Sequence, residues 1–244
     1  MTVPLLDGLS DELRAELAEA SSVLPNLIPI TPETVEVAPD DNFRALRHEL
    51  SDHYLALHPP GRHDGRSPLE SYALGVFEAG PDELAILPAK KFCDSLHSLN
   101  NMLTGGRGGW RTGFVKLSDD KAGNQIYFPH VSSVSGQLER LRLLITDQNA
   151  APPIFTAAIA YAVLLNCHPF TDGNGRTARA LFNHLLHRGG MPANVYLPLY
   201  EIARRSHGGY EIALRMAELR GDWAPLLHWL MDALRCCRDL ANVI

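Results

Sequence analysis

Residues 166 to 190 read NCHPFTDGNGRTARALFNHLLHRGG and gather His168, Asp172, Gly173, Gly175, Arg176 and Arg179 into twelve positions. Pro169 and the two glycines resist a helix, so HPFTDGNG is a loop. An apolar helix over 154–165 precedes it. A second helix starts near Arg176 and stops at Gly189 and Gly190. On that helix Arg176, Arg179 and Asn183 share one face, while Leu181, Phe182, Leu185 and Leu186 point elsewhere and can bury. Gly173 and Gly175 ahead of a helix start leave backbone N–H groups free at the positive end of the helix dipole, which suits an anion. Asp172 can hold Mg²⁺, a cation that takes one or two carboxylates together with substrate phosphates. Arg176 and Arg179 offer planar forks to phosphate oxygens. His168, with an ordinary pKa of about 6.5, suits a general base. Taken singly each feature is bland: a turn histidine, a tight DGNG turn, a solvated arginine face. Their conjunction points to phosphate chemistry.

The rest of the chain must position these residues. Its 244 residues suffice for one large domain, and 45% hydrophobic content allows a sizeable core. A net charge of −6 argues against a nucleic-acid scaffold. Cys93, Cys167, Cys236 and Cys237 form no CxxC pair and read as reduced thiols. With no signal peptide and no membrane-length apolar run, a soluble cytoplasmic protein that makes no membrane contact is expected. Helical patterning appears in SDELRAELAEASSVL, with Ser10 as N-cap, and over 42–57, KKFCDSLHSLNNML, QLERLRLLI, GYEIALRMAEL and APLLHWLMDALRCCRDL. HPPGRHDGRSP is a loop, and GGRGG reads as a flexible lead-in to the GFVKL run. GFVKL and NQIYF, joined by SDDKAG, predict one β-hairpin. The expected fold is mostly α.

The string HPFTDGNGRTAR resembles the signature of the Fic family, HPFx(D/E)GN(G/K)R followed by a second arginine three residues on, and meets every fixed position. The likeness extends over roughly 105–238: GWRTGFVKL and NQIYFPH resemble the family's hairpin flap, and the last two helical runs resemble its closing helices. The resemblance implies a Fic-type helical bundle with one β-hairpin flap before the active-site helix–loop–helix. An N-terminal helical region, 1–100, would pack on a core domain, 101–244, with no appended DNA-binding domain. The implied activity is Mg²⁺-dependent transfer of AMP from ATP to a Ser, Thr or Tyr hydroxyl of a target protein. His168 would be the base, Asp172 the metal ligand, Gly173–Gly175 the anion nest, and Asn174 would orient the α-phosphate. Arg176 would take the β-phosphate and Arg179 the γ-phosphate, with Asn183 near the nucleotide. The target would lie along the flap, residues about 114–128, as an added strand. Two alternatives stand beside this: the same fold moving UMP or phosphocholine, or a catalytically quiet nucleotide-binding regulatory module. A separate inhibitory partner and a homo-oligomer are both compatible with the chain.

Cys167 replaces the isoleucine common before the family histidine, and Gly209 stands where a tyrosine often precedes Tyr210. Gly175, where a family kinase has lysine, favours nucleotidyl transfer. The family's inhibitory helix, (S/T)xxxE(G/N), has no intact copy. RSPLES, 66–71, comes nearest, with Arg66 and Ser71 off pattern, and Ser135 to Glu139 shares only the spacing. Ser-x-x-Glu is also a capping signal, so the expectation is that Glu70 does not restrain the site and Arg179 is free. RHELSDHY fails as a zinc motif, because His53 follows His48 by five residues and would not share its face.

Overall fold

A computed structural model describes residues 1–58, 67–75, 81–117, 121–123, 125–147 and 151–242. The described chain is helical: α1 (Asp11–Ser22), α2 (Pro32–Val37), α3 (Ser51–Leu57), α4 (Ser67–Gly75), α5 (Pro81–Ile86), α6 (Ala89–Thr104), α7 (Val134–Asp147), α8 (Pro153–Cys167), α9 (Asn174–Arg188), α10 (Leu199–Arg205), α11 (Gly209–Arg220) and α12 (Ala224–Ala241). Ser10 caps α1 as expected, its Oγ accepting from Leu13 N at 3.2 Å.

The organising pair is α8 and α9. Almost every side chain of α8 from Ile154 to Leu164 is buried, which its unbroken apolar sequence PIFTAAIAYAVLL requires of a central helix. Helix α9 packs along it, burying Leu181, Phe182, Leu185 and Leu186. Helices α4 and α6 cover α9 from another side, α7 lies on α8, and α12 carries α11 and α1. One apolar core runs from Leu13 on α1 to Ala241 on α12. The 1–100 segment therefore contributes side chains to the same core as the motif helices.

The structure corrects three expectations. No strand occurs among the described residues, and the predicted hairpin is reduced to a single antiparallel bridge between Lys116 and Tyr127. Leu117 N donates to Ile126 O at 2.9 Å and Phe128 N to Val115 O at 3.1 Å, but no third strand extends this pairing. Isolated two-strand pairings of this length hold few ladder bonds. Residues 118–120 and 124 of the expected turn lie outside the described residues, as do 59–66 of the HPPGRHDGRSP loop.

The helix expected over 42–57 is broken. Residues Asp40–Leu46 form a 3₁₀ turn, and α3 begins only at Ser51. His48 N donates to Ser51 Oγ at 3.0 Å and Leu50 N to His48 Nδ1 at 3.1 Å, so local side chains take the donors a helix would use. This turn also accounts for Gly209. A Cβ there would lie 2.0 Å from the Leu46 carbonyl oxygen, leaving no room for the tyrosine otherwise expected.

The GGRGG segment is pinned rather than a flexible lead-in. Thr171 N donates to Gly109 O at 2.8 Å, Arg111 N donates to Pro169 O at 3.0 Å, and Trp110 bridges Phe170. Gly108 passes so close to α6 that a Cβ would sit 1.9 Å from Asn100 Oδ1.

Candidate active site

The motif loop lies between the C-terminus of α8 and the N-terminus of α9. His168 caps α8 in the left-handed region, φ 46° and ψ 57°, a conformation uncommon for a side-chain-bearing residue. Its N–H still closes on Leu164 O at 3.0 Å. The imidazole is part-buried, with Nδ1 3.2 Å from Leu165 O and its face stacked on Phe128, centroids 3.6 Å apart. A proton on Nδ1 satisfies the Leu165 carbonyl and leaves Nε2 as the acceptor. Burial, reinforced by Arg111 and Arg215, outweighs the Leu165 bond and lowers the His168 pKa to about 4. The ring is therefore neutral at ordinary pH, as a proton acceptor must be.

Gly173, φ 79°, starts α9 without a side-chain cap, so the first-turn N–H groups of α9 remain directed outward. Only glycine fits: a Cβ at Gly173 would lie 2.5 Å from Thr104 Cγ2 and 2.7 Å from Asn100 Nδ2. Asp172 accepts from Gly173 N at 2.6 Å and from Arg176 Nη2 at 2.9 Å. Partial burial works against its charge, but these two donors prevail and hold the pKa below the ordinary carboxylate value. Its side chain is 57% exposed beside the nest. An ionised, accessible carboxylate next to an anion-binding helix start fits a magnesium ion shared with phosphates. No cluster of three or more His, Cys, Asp or Glu that could hold a metal occurs among the described residues.

Asn174 and Asn183 lie where expected along the chain, but their amides are engaged internally. Asn174 accepts from Phe170 N at 2.9 Å and donates to Phe170 O at 2.8 Å, closing the loop on itself. Asn183, fully buried, donates to Arg179 O and Leu197 O and accepts from Leu197 N at 2.7 Å. It braces α9 against the segment before α10. Gly175 is the second residue of α9, and a Cβ there would stand 3.2 Å from an Arg179 guanidinium nitrogen.

Arg179 is not free, which corrects the expectation for this residue. Its Nε donates to both Glu70 carboxylate oxygens at 3.1 Å and its Nη2 to Oε1 at 2.5 Å. Glu70 is completely buried on α4 and also accepts from Tyr196 Oη at 2.9 Å. The Tyr200 ring lies 5.1 Å from the guanidinium carbon. Burial disfavours the charge on Arg179, but the Glu70 carboxylate and its hydrogen bonds more than offset this and raise the pKa. Arg66 of the degenerate motif lies outside the described residues. Glu139, the other spacing match, pairs instead with Arg142 at 2.7 Å on α7.

Several residues of the site carried no sequence signal. Asn100 on α6 donates to Asp172 O at 2.9 Å and to Thr177 Oγ1 at 3.1 Å, and Leu103 O accepts from Arg176 Nη1 at 2.5 Å. Helix α6 thus supports the nest from behind. A cavity of about 500 Å³ lies between α3, α11 and the 114–128 segment, lined among others by Tyr54, Leu117, Ile126, Glu211 and Arg215. The Oε2 atom of Glu211 is sealed from solvent with no hydrogen-bond partner, and burial raises the Glu211 pKa to about 7. The cysteines are all free thiols. No helix among the described residues is long and apolar enough to cross a membrane.

Residues 92–186, from α6 to α9, match the model of the Fic/DOC family. Among curated proteins, the chain is 33% identical over 124 residues to "Protein adenylyltransferase Fic" of Drosophila mojavensis, covering 48% of this chain and 23% of that protein. It is 36% identical over 94 residues to the protein of the same name from Drosophila grimshawi, covering 38% and 18%. The aligned part is thus about a quarter or less of those relatives' length. Among solved structures, a Fic family protein from Desulfovibrio desulfuricans superposes with a TM-score of 0.57 at 19% identity, over 97% of this chain and 68% of that one. Fic-1 from C. elegans gives 0.56 at 21%, over 95% and 72%. A Fic domain containing signaling protein from Bacteroides thetaiotaomicron gives 0.56 at 17%, over 93% and 97%. These superpositions show a shared fold.

Proposed function

The chain belongs to the Fic family, and from that premise we propose that it is a protein adenylyltransferase held in check by its own Glu70. The observation that carries the reading is a neutral imidazole and an uncapped helix start on the two sides of one five-residue loop. ATP is the co-substrate. Its phosphates lie on the α9 N-terminus, with Arg176 against the β-phosphate and Arg179, once released, against the γ-phosphate. Asp172 would hold Mg²⁺, which neutralises phosphate charge. A hydroxyl of the target, lying along residues 114–128, gives its proton to His168 Nε2 as its oxygen attacks the α-phosphorus. The α–β phosphoanhydride bond breaks and pyrophosphate leaves with the electron pair. Asn174 keeps the loop in shape, and Asn183 fixes the segment from which Tyr196 reaches Glu70.

With Arg179 held by Glu70, the γ-phosphate has no clamp. This contact favours a restrained enzyme over a module that only binds nucleotide, because a quiet domain has no activity to restrain. The test is labelling by α-³²P ATP, UTP and other nucleotides in the Glu70→Gly background, with and without EDTA. Transfer from ATP is expected, and His168→Ala should lower it by about 10²–10⁴-fold while leaving ATP affinity nearly unchanged. Preference for another nucleotide would reassign the donor. Undiminished transfer by His168→Ala would remove the base from the mechanism.

A further inference from the structure

Arg111 is 4% exposed, and no carboxylate pairs with it among the described residues. Its guanidinium binds backbone carbonyls instead. Nη1 donates to Gly113 O at 3.1 Å, and Nη2 donates to Pro129 O at 2.5 Å and Cys167 O at 3.2 Å. Its own backbone N–H donates to Pro169 O at 3.0 Å. A buried cation whose side-chain hydrogen bonds all go to neutral carbonyls, with Nε left without a partner, is a costly way to link chain segments, and its desolvation lowers the Arg111 pKa.

The four acceptors explain what that cost secures. Cys167 and Pro169 flank His168, so Arg111 grips the chain immediately before and immediately after the base. Gly113 and Pro129 are the two roots of the 114–128 segment, whose Phe128 stacks on the His168 imidazole. One residue therefore ties both roots of the target-holding segment to both sides of the base, the guanidinium reaching Gly113, Pro129 and Cys167 and the backbone N–H reaching Pro169. A lysine offers three donors from a single point and cannot span these positions, whereas the planar guanidinium can.

We propose that Arg111 is a positioning residue that sets the distance and angle between His168 and the 114–128 segment. It governs turnover with a hydroxyl acceptor and not the binding of nucleotide, whose seat on α9 is held independently by Asn100 and Leu103 of α6. The assignment of turnover rests on the transferase reading, whereas the assignment of geometry does not.

Arg111→Lys, made in the Glu70→Gly background, separates these points through three measurements. ATP affinity by calorimetry should stay within about twofold. The kcat of self-labelling should fall about 10²-fold, as a displacement on the order of 1 Å suffices for that loss, with KM for ATP unchanged. Proton NOEs between the Phe128 and His168 rings should weaken. If ring NOEs and kcat both match the parent, the proposal is overturned. A parallel loss of ATP affinity overturns it as well, because Arg111 would then support the nest in general. Should the parent transfer no nucleotide at all, the transferase reading fails, and the NOE and affinity measurements still decide the role of Arg111. If Arg111→Lys does not fold by circular dichroism, Arg111→Gln carries the same three readouts.

Discussion

The Glu70 carboxylate and the Arg179 guanidinium meet across 109 residues of chain, through three hydrogen bonds and with almost no solvent contact. Each is held from a second side, Glu70 by the Tyr196 hydroxyl and Arg179 by the Tyr200 ring. The motif arginine that would clamp the terminal phosphate is therefore committed to an intramolecular partner, presented by α4.

Removing that partner should release activity. Charge-assisted bonds of this kind are worth about 1.5–3 kcal/mol, so Glu70→Gly should raise self-labelling by about 10- to 150-fold over wild type. Labelling with α-³²P ATP checks this, and equal labelling of the two proteins would remove Glu70 from control.

The same substitution leaves a buried cation without its counter-charge. Glu70→Gly should therefore melt lower than wild type, and ATP should raise its melting temperature more than that of wild type, because the γ-phosphate replaces the lost carboxylate. Differential scanning fluorimetry with and without ATP reads both effects. An equal ATP-induced shift in the two proteins would show that the nucleotide never reaches Arg179.

His168 should behave as a weak base. Its folded pKa of about 4 lies below the ordinary value of about 6.5, so the imidazole stays neutral well into acid. Its contribution to stability is present above pH ~6.5 and is lost as pH falls toward 4. NMR titration of the nucleotide-free protein should show no protonation of this ring above about pH 5. The acid limb of kcat/KM, which reports the free enzyme, should lie equally low. A midpoint near 6.5 would mean that the ring is solvated in solution.

Glu211 gives the opposite slope. Its folded pKa, raised to about 7, means that the fold tolerates the protonated acid better than the carboxylate. Its contribution is most favourable below pH ~4.5 and is lost as pH rises through about 7. Glu211→Gln should raise the melting temperature at pH 8 and leave it nearly unchanged at pH 5. Parallel shifts at both pH values would show that the carboxyl is already ionised and solvated at low pH.

The legibility of this protein in its sequence tracks the range of its interactions. Helices α8 and α9 were readable because an unbroken apolar run and the Pro169–Gly173 loop are local signals. The loop chemistry was readable because base, acid, nest and arginines are covalent neighbours. Arg179's partner was not, since RSPLES departs from the inhibitory pattern at Arg66 and Ser71, and only the packing of α4 on α9 brings Glu70 to it. Arg111 was invisible for another reason: its partners are backbone carbonyls, which every sequence supplies. GFVKL and NQIYF have strand-forming residues, which suggest a hairpin, but their pairing ends at one bridge.

The left-handed backbone at His168 has a practical consequence for the choice of an inactive variant. Alanine at φ 46° keeps a strain on the order of 1–2 kcal/mol while losing the stacked ring that helps fix the loop. An inactive His168→Ala control therefore removes the base from a less stable protein, in which the strained backbone stays without the ring that offsets it. Glycine accepts this conformation freely, so His168→Gly is the cleaner knockout. Combined with Glu70→Gly, it yields a protein with Arg179 unlocked and the base removed, in which the proposed engagement of a target with ATP in place is open to test in cell extract.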